Sequence, residues 1–249
     1  MNMRQRLIEL PPQCKLAALI TFVCALVATP AVQAWALLGQ GLLLVCTALI
    51  LGVSMRTMGR GLRIEAPFLL LAALLPFLAD GPTHTVGPFE LSESGLQGAW
   101  SIVVKAALGA CAAVIVAATT PAPALISGAY RLGLPQLMVE IAAFMVRYGV
   151  VLREESTRAA HARAARGFGS TKLGFLDRLR VWARAAAALF VRAFERGERV
   201  YVAMLARGYR GGRTSFTPPR SGTVQDWSIA FAVPMLAIAC ALGALVRNQ

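Results

Sequence analysis

The tripeptide Ala-Arg-Gly occurs at residues 165–167 and again at 206–208, each time closing a long, arginine-rich segment with helical spacing. A glycine just past a helix adopts the left-handed conformation that closes the last turn, and an arginine there complements the negative end of the helix dipole. Helix termination accounts for one such tripeptide. Two in one basic region, each followed by an aromatic residue (Phe168 and Tyr209), point further. A guanidinium held at a rigid helix end presents a planar fork of donors to a partner's carboxylates or carbonyls. The chemistry is recognition, and the candidate site residues are Ala165, Arg166, Gly167, Ala206, Arg207 and Gly208.

Catalysis finds no support in the residues. No G-x-x-x-x-G-K-[ST] phosphate loop occurs, and Gly-Phe-Gly-Ser-Thr-Lys at 167–172 has the wrong order for one. His84 and His161 stand apart from any Cys, Asp or Glu at coordinating spacing. Cys14, Cys24, Cys46, Cys111 and Cys240 show no metal-ligand spacing and read as small buried hydrophobes. The chain is therefore expected to carry no cofactor or metal of its own.

The elements that position the two tips follow from composition. Of 249 residues, 57% are hydrophobic, and the mean hydropathy is +0.62, too apolar for an ordinary soluble domain. No charged residue falls between Lys15 and Arg56, a run that would extend about 60 Å as helix, twice the hydrocarbon thickness. It must fold back once, at Thr29-Pro30. Continuous rather than alternating apolar runs argue against a β-barrel. The expected fold class is an all-α polytopic membrane protein, with about five transmembrane helices plus long cytoplasmic coupling helices.

The expected spans are Leu16 to Thr29 (with Pro12 to Lys15 as an extension), Ala31 to Val53, Ile64 to Ala79, Gly98 to Ala118, and Trp227 to Val246. A basic turn carrying Arg56, Arg60 and Arg63 follows the second. A loop runs from Asp80 to Ser94. Lys105 is expected near one end of the fourth span, snorkelling to the interface. On that span Ala106, Gly109, Ala110, Ala113 and Ala117 share one face, fit either for internal packing or for a docking membrane subunit. A short amphipathic stretch, Pro123 to Leu132, precedes two long helices, Gln136 to Arg166 and Leu176 to Arg207. Glu154 and Glu155 are at helical spacing to pair with Arg158. The expected divisions are a membrane region 1–118, a cytoplasmic coupling region 119–224 and a C-terminal span 225–249.

Net charge is +13, but position matters more than total. From Thr119 to Val224 there are 17 Lys/Arg against 6 Asp/Glu, whereas Asp80 to Ser94 holds three acids and no Lys or Arg. This is the positive-inside signature of topology, and a nucleic-acid surface is not expected. All the basic clusters face the cytoplasm if five spans leave the N-terminus inside and the C-terminus outside. The basic start, Met1 to Arg6, lacks a cleavage site and does not read as a signal peptide.

The chain resembles a known family along essentially its whole length. The segments Arg147-Tyr148, Glu154-Glu155 and Ala165-Arg166-Gly167-Phe168 look like the transmembrane (T) component of energy-coupling factor (ECF) transporters, nearest to its cobalt-transporting CbiQ branch. So does Glu195-Arg196-Gly197-Glu198-Arg199-Val200-Tyr201 continuing to Ala206-Arg207-Gly208-Tyr209, the most specific block. Leu132-Gly133-Leu134-Pro135 matches too. Pro12-Gln13-Cys14-Lys15-Leu16 resembles that family's entry motif, with Pro11 where Asp is usual and Gln13 where Arg is usual.

The resemblance implies a non-catalytic scaffold in a bacterial inner membrane. It would join two ATP-binding cassette ATPase subunits to a substrate-capturing membrane (S) subunit, with a small accessory membrane subunit as a further partner. Arg166 and Arg207 would each dock into a groove on one ATPase, and the ATPases would hold the ATP and Mg. Cobalt comes from the family branch; nickel is the near alternative and a vitamin a more distant one. A conventional ABC permease would want more spans, or a homodimer, with one coupling segment per chain. A membrane enzyme would want a nucleophile or metal site.

Overall fold

A computed structural model of the chain describes residues 3–30, 33–78, 83–86, 89–167, 174–210 and 220–246. Among them lie α1 (Met3–Ile8), α2 (Pro12–Ala28), α3 (Ala34–Leu51), α4 (Met55–Leu62), α5 (Ala66–Leu78), α6 (Glu93–Thr119), α7 (Ala122–Arg131), α8 (Gln136–Ala165), α9 (Phe175–Ala206) and α10 (Val224–Val246). A 3-10 turn, Arg63–Glu65, leads into α5. One small antiparallel hairpin, β1 (Thr83–Val86) and β2 (Phe89–Ser92), pairs Thr83 with Ser92. The expected all-α polytopic membrane class is what forms. Two compact units emerge, residues 1–133 with 218–249, and residues 134–217.

Proline and glycine punctuate the first unit. Pro12 opens α2 at a position where its missing N–H is not needed, Gly52 (φ 71°) closes α3, and Pro121 precedes α7. Thr223 and Asp226 form a reciprocal capping box on α10. The Asp226 carboxylate accepts from the Thr223 N–H at 2.9 Å, and the Thr223 hydroxyl accepts from the Asp226 N–H at 3.3 Å. The core is Phe22, Ala25, Leu26, Leu37, Leu44, Ala48, Met58, Ala112, Ile115 and Ala237. Buried Gln40 ties α3 to its neighbours, donating to Thr29 Oγ1 at 2.9 Å and the Ala237 carbonyl at 3.3 Å.

The outer surface of this unit is apolar: Leu70 is 74% exposed and Leu38 72%. In water that would be costly; in a bilayer it is the required surface. The segments Ala34–Leu51, Gly95–Thr119 and Val224–Ala244 are long and apolar enough to cross. The apolar helices α2 and α5 have 17 and 13 residues, shorter than the roughly 20 a straight crossing needs.

Local structure departs from the sequence expectations in several places. The basic turn is helical, with Arg56 and Arg60 in α4 and Arg63 in the 3-10 turn after it, and Ser54 caps α4 by accepting from the Arg56 N–H at 3.3 Å. Its buried residues Met58 and Gly61 face inward, and a Cβ on Gly61 would sit 2.4 Å from Val114 Cγ2, so only glycine allows this approach to α6. Part of the Asp80–Ser94 loop is the β1–β2 hairpin, and Ser92 caps α6 through the Gly95 N–H at 3.4 Å. The helix of the fourth span therefore starts at Glu93, and its apolar segment at Gly95. Lys105 falls mid-helix and does not snorkel from an end: its ammonium donates to the Val27 carbonyl at 3.0 Å, in the last turn of α2.

Candidate functional site

The second unit is built from α8 and α9, of 30 and 32 residues. Pro135 stops the preceding chain and leaves α8 to begin at Gln136. Residues four apart, Phe144, Tyr148 and Leu152, line a cleft opposite Val200, Met204 and Gly197 of α9. Phe144 and Tyr148 stack with ring centroids 6.0 Å apart. Further along, Glu155 reaches across to α9, 3.4 Å from Arg192 and 3.5 Å from Arg196. The sequence suggested pairing along its own helix with Arg158. The cross-helix choice follows from burial, since the Glu155 side chain is only 16% exposed and two guanidiniums there offset its desolvation.

Near the start of α8, Tyr209 donates its hydroxyl to Glu140 Oε2 at 2.9 Å, while Gln136 Nε2 donates to Glu140 Oε1 at 3.0 Å. The hydrogen bond to the carboxylate is the largest cause raising the Tyr209 pKa above the usual phenol value, followed by desolvation and the charge of Glu140. This contact is therefore complete below the ordinary tyrosine pKa and is lost only as pH rises through the raised one. The sequence signal for Glu140 is a lone acid in an otherwise apolar stretch.

These contacts fix the register of an antiparallel pair: residue 140 lies beside 209, and 155 beside 192 and 196. The two arginine tips therefore stand at opposite ends of the pair. Arg166 is 26 residues along α8 from Glu140 (166 − 140), about 39 Å at helical rise.

Each tip is a capped helix end. Arg166 (φ −90°, ψ 12°) and Arg207 (φ −91°, ψ 11°) occupy the C-cap positions with nearly the same backbone. Gly167 and Gly208 follow in the left-handed region, at φ 78° and 84°. At the second tip the Gly208 N–H reaches the Leu205 carbonyl at 2.9 Å and the Tyr209 N–H reaches the Met204 carbonyl at 3.0 Å, a complete Schellman motif. At the first, the Gly167 N–H reaches the Ala164 carbonyl at 3.0 Å; Phe168 lies outside the described residues. Ala165, Arg166, Gly167, Ala206, Arg207 and Gly208 are all exposed. Neither guanidinium has an ion pair or side-chain hydrogen bond among the described residues. Two matched cations thus stand exposed at capped helix ends.

The family model described as "CbiQ: Cobalt transport protein" matches residues 3–217, which include both tips. The chain belongs to the CbiQ family. It is 31% identical over 217 residues to the energy-coupling factor transporter transmembrane protein EcfT of Bacillus subtilis, covering 82% of this chain and 80% of that one. Similarity to the cobalt transport protein CbiQ of Rhodobacter capsulatus is 32% over 158 residues, 61% of this chain and 64% of that one. A third relative, EcfT of Heliobacterium modesticaldum, is 29% identical over 240 residues and covers 90% of this chain and 88% of its own length. As a CbiQ-family member the chain carries its arginine tips inside the region the family model covers, whereas α10 lies beyond it.

Among the described residues no group of three or more His, Cys, Asp or Glu comes together. All five cysteines are free thiols.

Proposed function

We propose that this chain is the non-catalytic transmembrane coupling subunit of an ECF-type importer for cobalt ions. The observation that carries the reading is the pair of capped arginine tips, unpaired among the described residues, at opposite ends of one helical pair. Arg166 and Arg207 each dock on one of two ATP-binding cassette ATPases, which bind and hydrolyse the ATP. Their nucleotide-driven approach shifts α8 and α9, and the shift is passed to a membrane S subunit holding the ion. A single chain with two tips suits a lone subunit that bridges an ATPase pair. Cobalt rests on the family description and on the relative named for cobalt transport.

Co-expression with the candidate ATPases and S subunit tests this directly. One copy of the chain should co-purify with two ATPases, and liposomes holding the complex should take up cobalt with ATP. Two copies per ATPase pair would favour a conventional permease. Uptake of nickel in place of cobalt would move the substrate but not the role.

The proposed topology has five crossings in the inner membrane, N-terminus inside and C-terminus outside. It follows from placing every basic cluster in the cytoplasm. A cysteine introduced in place of Thr85 should react with an impermeant maleimide in intact cells, and one in place of Gly212 should react only after permeabilisation. The opposite pattern reverses the orientation.

The Glu155 contacts give a stability test. With one arginine partner largely exposed, removing the carboxylate in Glu155→Gln should cost about 0.5–1 kcal/mol. Hydrogen exchange should rise about two- to fivefold in α9 amides near Arg192 and Arg196. Unchanged exchange there would mean that the cross-helix pair contributes nothing in solution.

A further inference from the structure

The first turn of α2, Pro12 to Lys15, holds a buried cation that the arginine tips do not account for. Lys15 is 9% exposed. Its ammonium donates to the Ile8 carbonyl at 2.8 Å, the Thr119 carbonyl at 3.4 Å and Thr120 Oγ1 at 3.2 Å. Ile8 is the last residue of α1 and Thr119 the last of α6. Helices leave such carbonyls unsatisfied, at the negative end of the dipole. No carboxylate pairs with Lys15 among the described residues; two helix ends and a hydroxyl meet its charge instead.

The neighbours of Lys15 in the same turn are gripped as well. Gln13 donates to the Arg220 carbonyl at 3.3 Å. A Cβ on Gly128 of α7 would lie 2.9 Å from the backbone of Pro12 and Gln13, and one on Gly222 would lie 2.8 Å from Cys14 Sγ. The chain enters the α8–α9 pair through the Thr119–Pro121 elbow and α7, and leaves it through residues 210–223 into α10. The Pro12–Lys15 turn is therefore fastened to both covalent routes: Lys15 holds the elbow, and Gln13 and Cys14 hold the approach to α10.

We infer that Lys15 is a positioning residue for coupling, fastening the ends of α1 and α6 to α2 where the chain enters and leaves the coupling pair. Displacement of α8 and α9 then moves α2, together with the α10 helix it packs along, instead of being absorbed by hinging at Thr119–Pro121. The inference rests on the coupling function proposed above and adds the element that converts a shift of the tips into a shift of the membrane helices.

The test uses the whole complex in liposomes and reads cobalt ions taken up per ATP hydrolysed, a ratio that does not depend on how much complex survives folding. Lys15→Met keeps the stem but removes the donors. It should retain both ATPases and near wild-type hydrolysis while uptake per ATP falls about tenfold. Lys15→Arg keeps a charged donor for the same three acceptors and should retain more of the ratio than Lys15→Met. Thr120→Val removes one acceptor and should lower the ratio about two- to threefold.

A wild-type ratio in Lys15→Met, even with less complex recovered, would make the contact purely structural and overturn the inference. If Lys15→Met does not accumulate, an unchanged ratio in Thr120→Val overturns it. A wild-type chain that neither holds ATPases nor takes up cobalt would defeat the coupling function itself, and the positioning role with it.

Discussion

Replacing both tip arginines, Arg166→Ala with Arg207→Ala, should release the ATPases and abolish uptake while the chain stays folded and inserted in the membrane. Both side chains are exposed and make no ion pair or side-chain hydrogen bond among the described residues, so their removal costs this chain little. On the coupling role proposed above, what is lost is the docking contact, and each charge-assisted contact contributes about 1.5–3 kcal/mol. The tips stand about 39 Å apart along the pair, far enough for their losses to add. Association should weaken by about 3–6 kcal/mol, on the order of a hundred- to ten-thousand-fold.

Each single variant should behave differently from the pair. One intact tip still tethers the ATPase dimer, and the second contact forms at a raised local concentration. Single variants should therefore co-purify with ATPases at reduced yield and transport slowly. A double variant that co-purifies and transports as wild type would reduce both tripeptides to helix caps.

The helices were legible because their signals are local. Gly167 and Gly208 adopt the left-handed conformation that their position after an arginine-rich helix implied, at φ 78° and 84°. Pro12, Pro121 and Pro135 mark helix starts where a missing N–H is tolerated. The continuous apolar runs identified the membrane helices: α2 takes in the Pro12 to Lys15 extension, whereas α5 forms shorter than expected.

What the sequence hid was mostly non-local. Glu155 pairs across helices because the partner arginines lie 37 and 41 residues away (192 − 155 and 196 − 155), and helical spacing shows only neighbours three or four apart. Lys105 looks like an end-of-helix cation only if α6 starts at Gly98, where the apolar run begins. Ser92 moves that start to Glu93 and leaves Lys105 to cap α2. The basic run at 56–63 looked like a turn because Gly59 and Gly61 lower its helix propensity, yet packing of Gly61 against Val114 overrides that local preference.

The second large effect separates guanidinium geometry from charge at the better-defined tip. Arg207 closes α9, and a cation there complements the helix dipole whichever residue carries it. Arg207→Lys keeps the charge but loses the planar fork of donors. It should melt near the wild-type temperature and yet lower uptake-coupled ATP hydrolysis in the assembled complex about tenfold, the size of one lost charge-assisted contact. Gly208→Ala should show the converse balance. Nothing lies within 4 Å of the Cβ it would add, so its cost of about 1 kcal/mol is backbone strain alone. That strain acts on the two Schellman hydrogen bonds, and Tyr209, next in the chain, is anchored on Glu140. The alanine variant should thus melt lower and lose coupling in proportion to the displaced tip. Full coupling in the lysine variant would show that charge alone suffices at Arg207, and forked recognition by the ATPase would have to be abandoned.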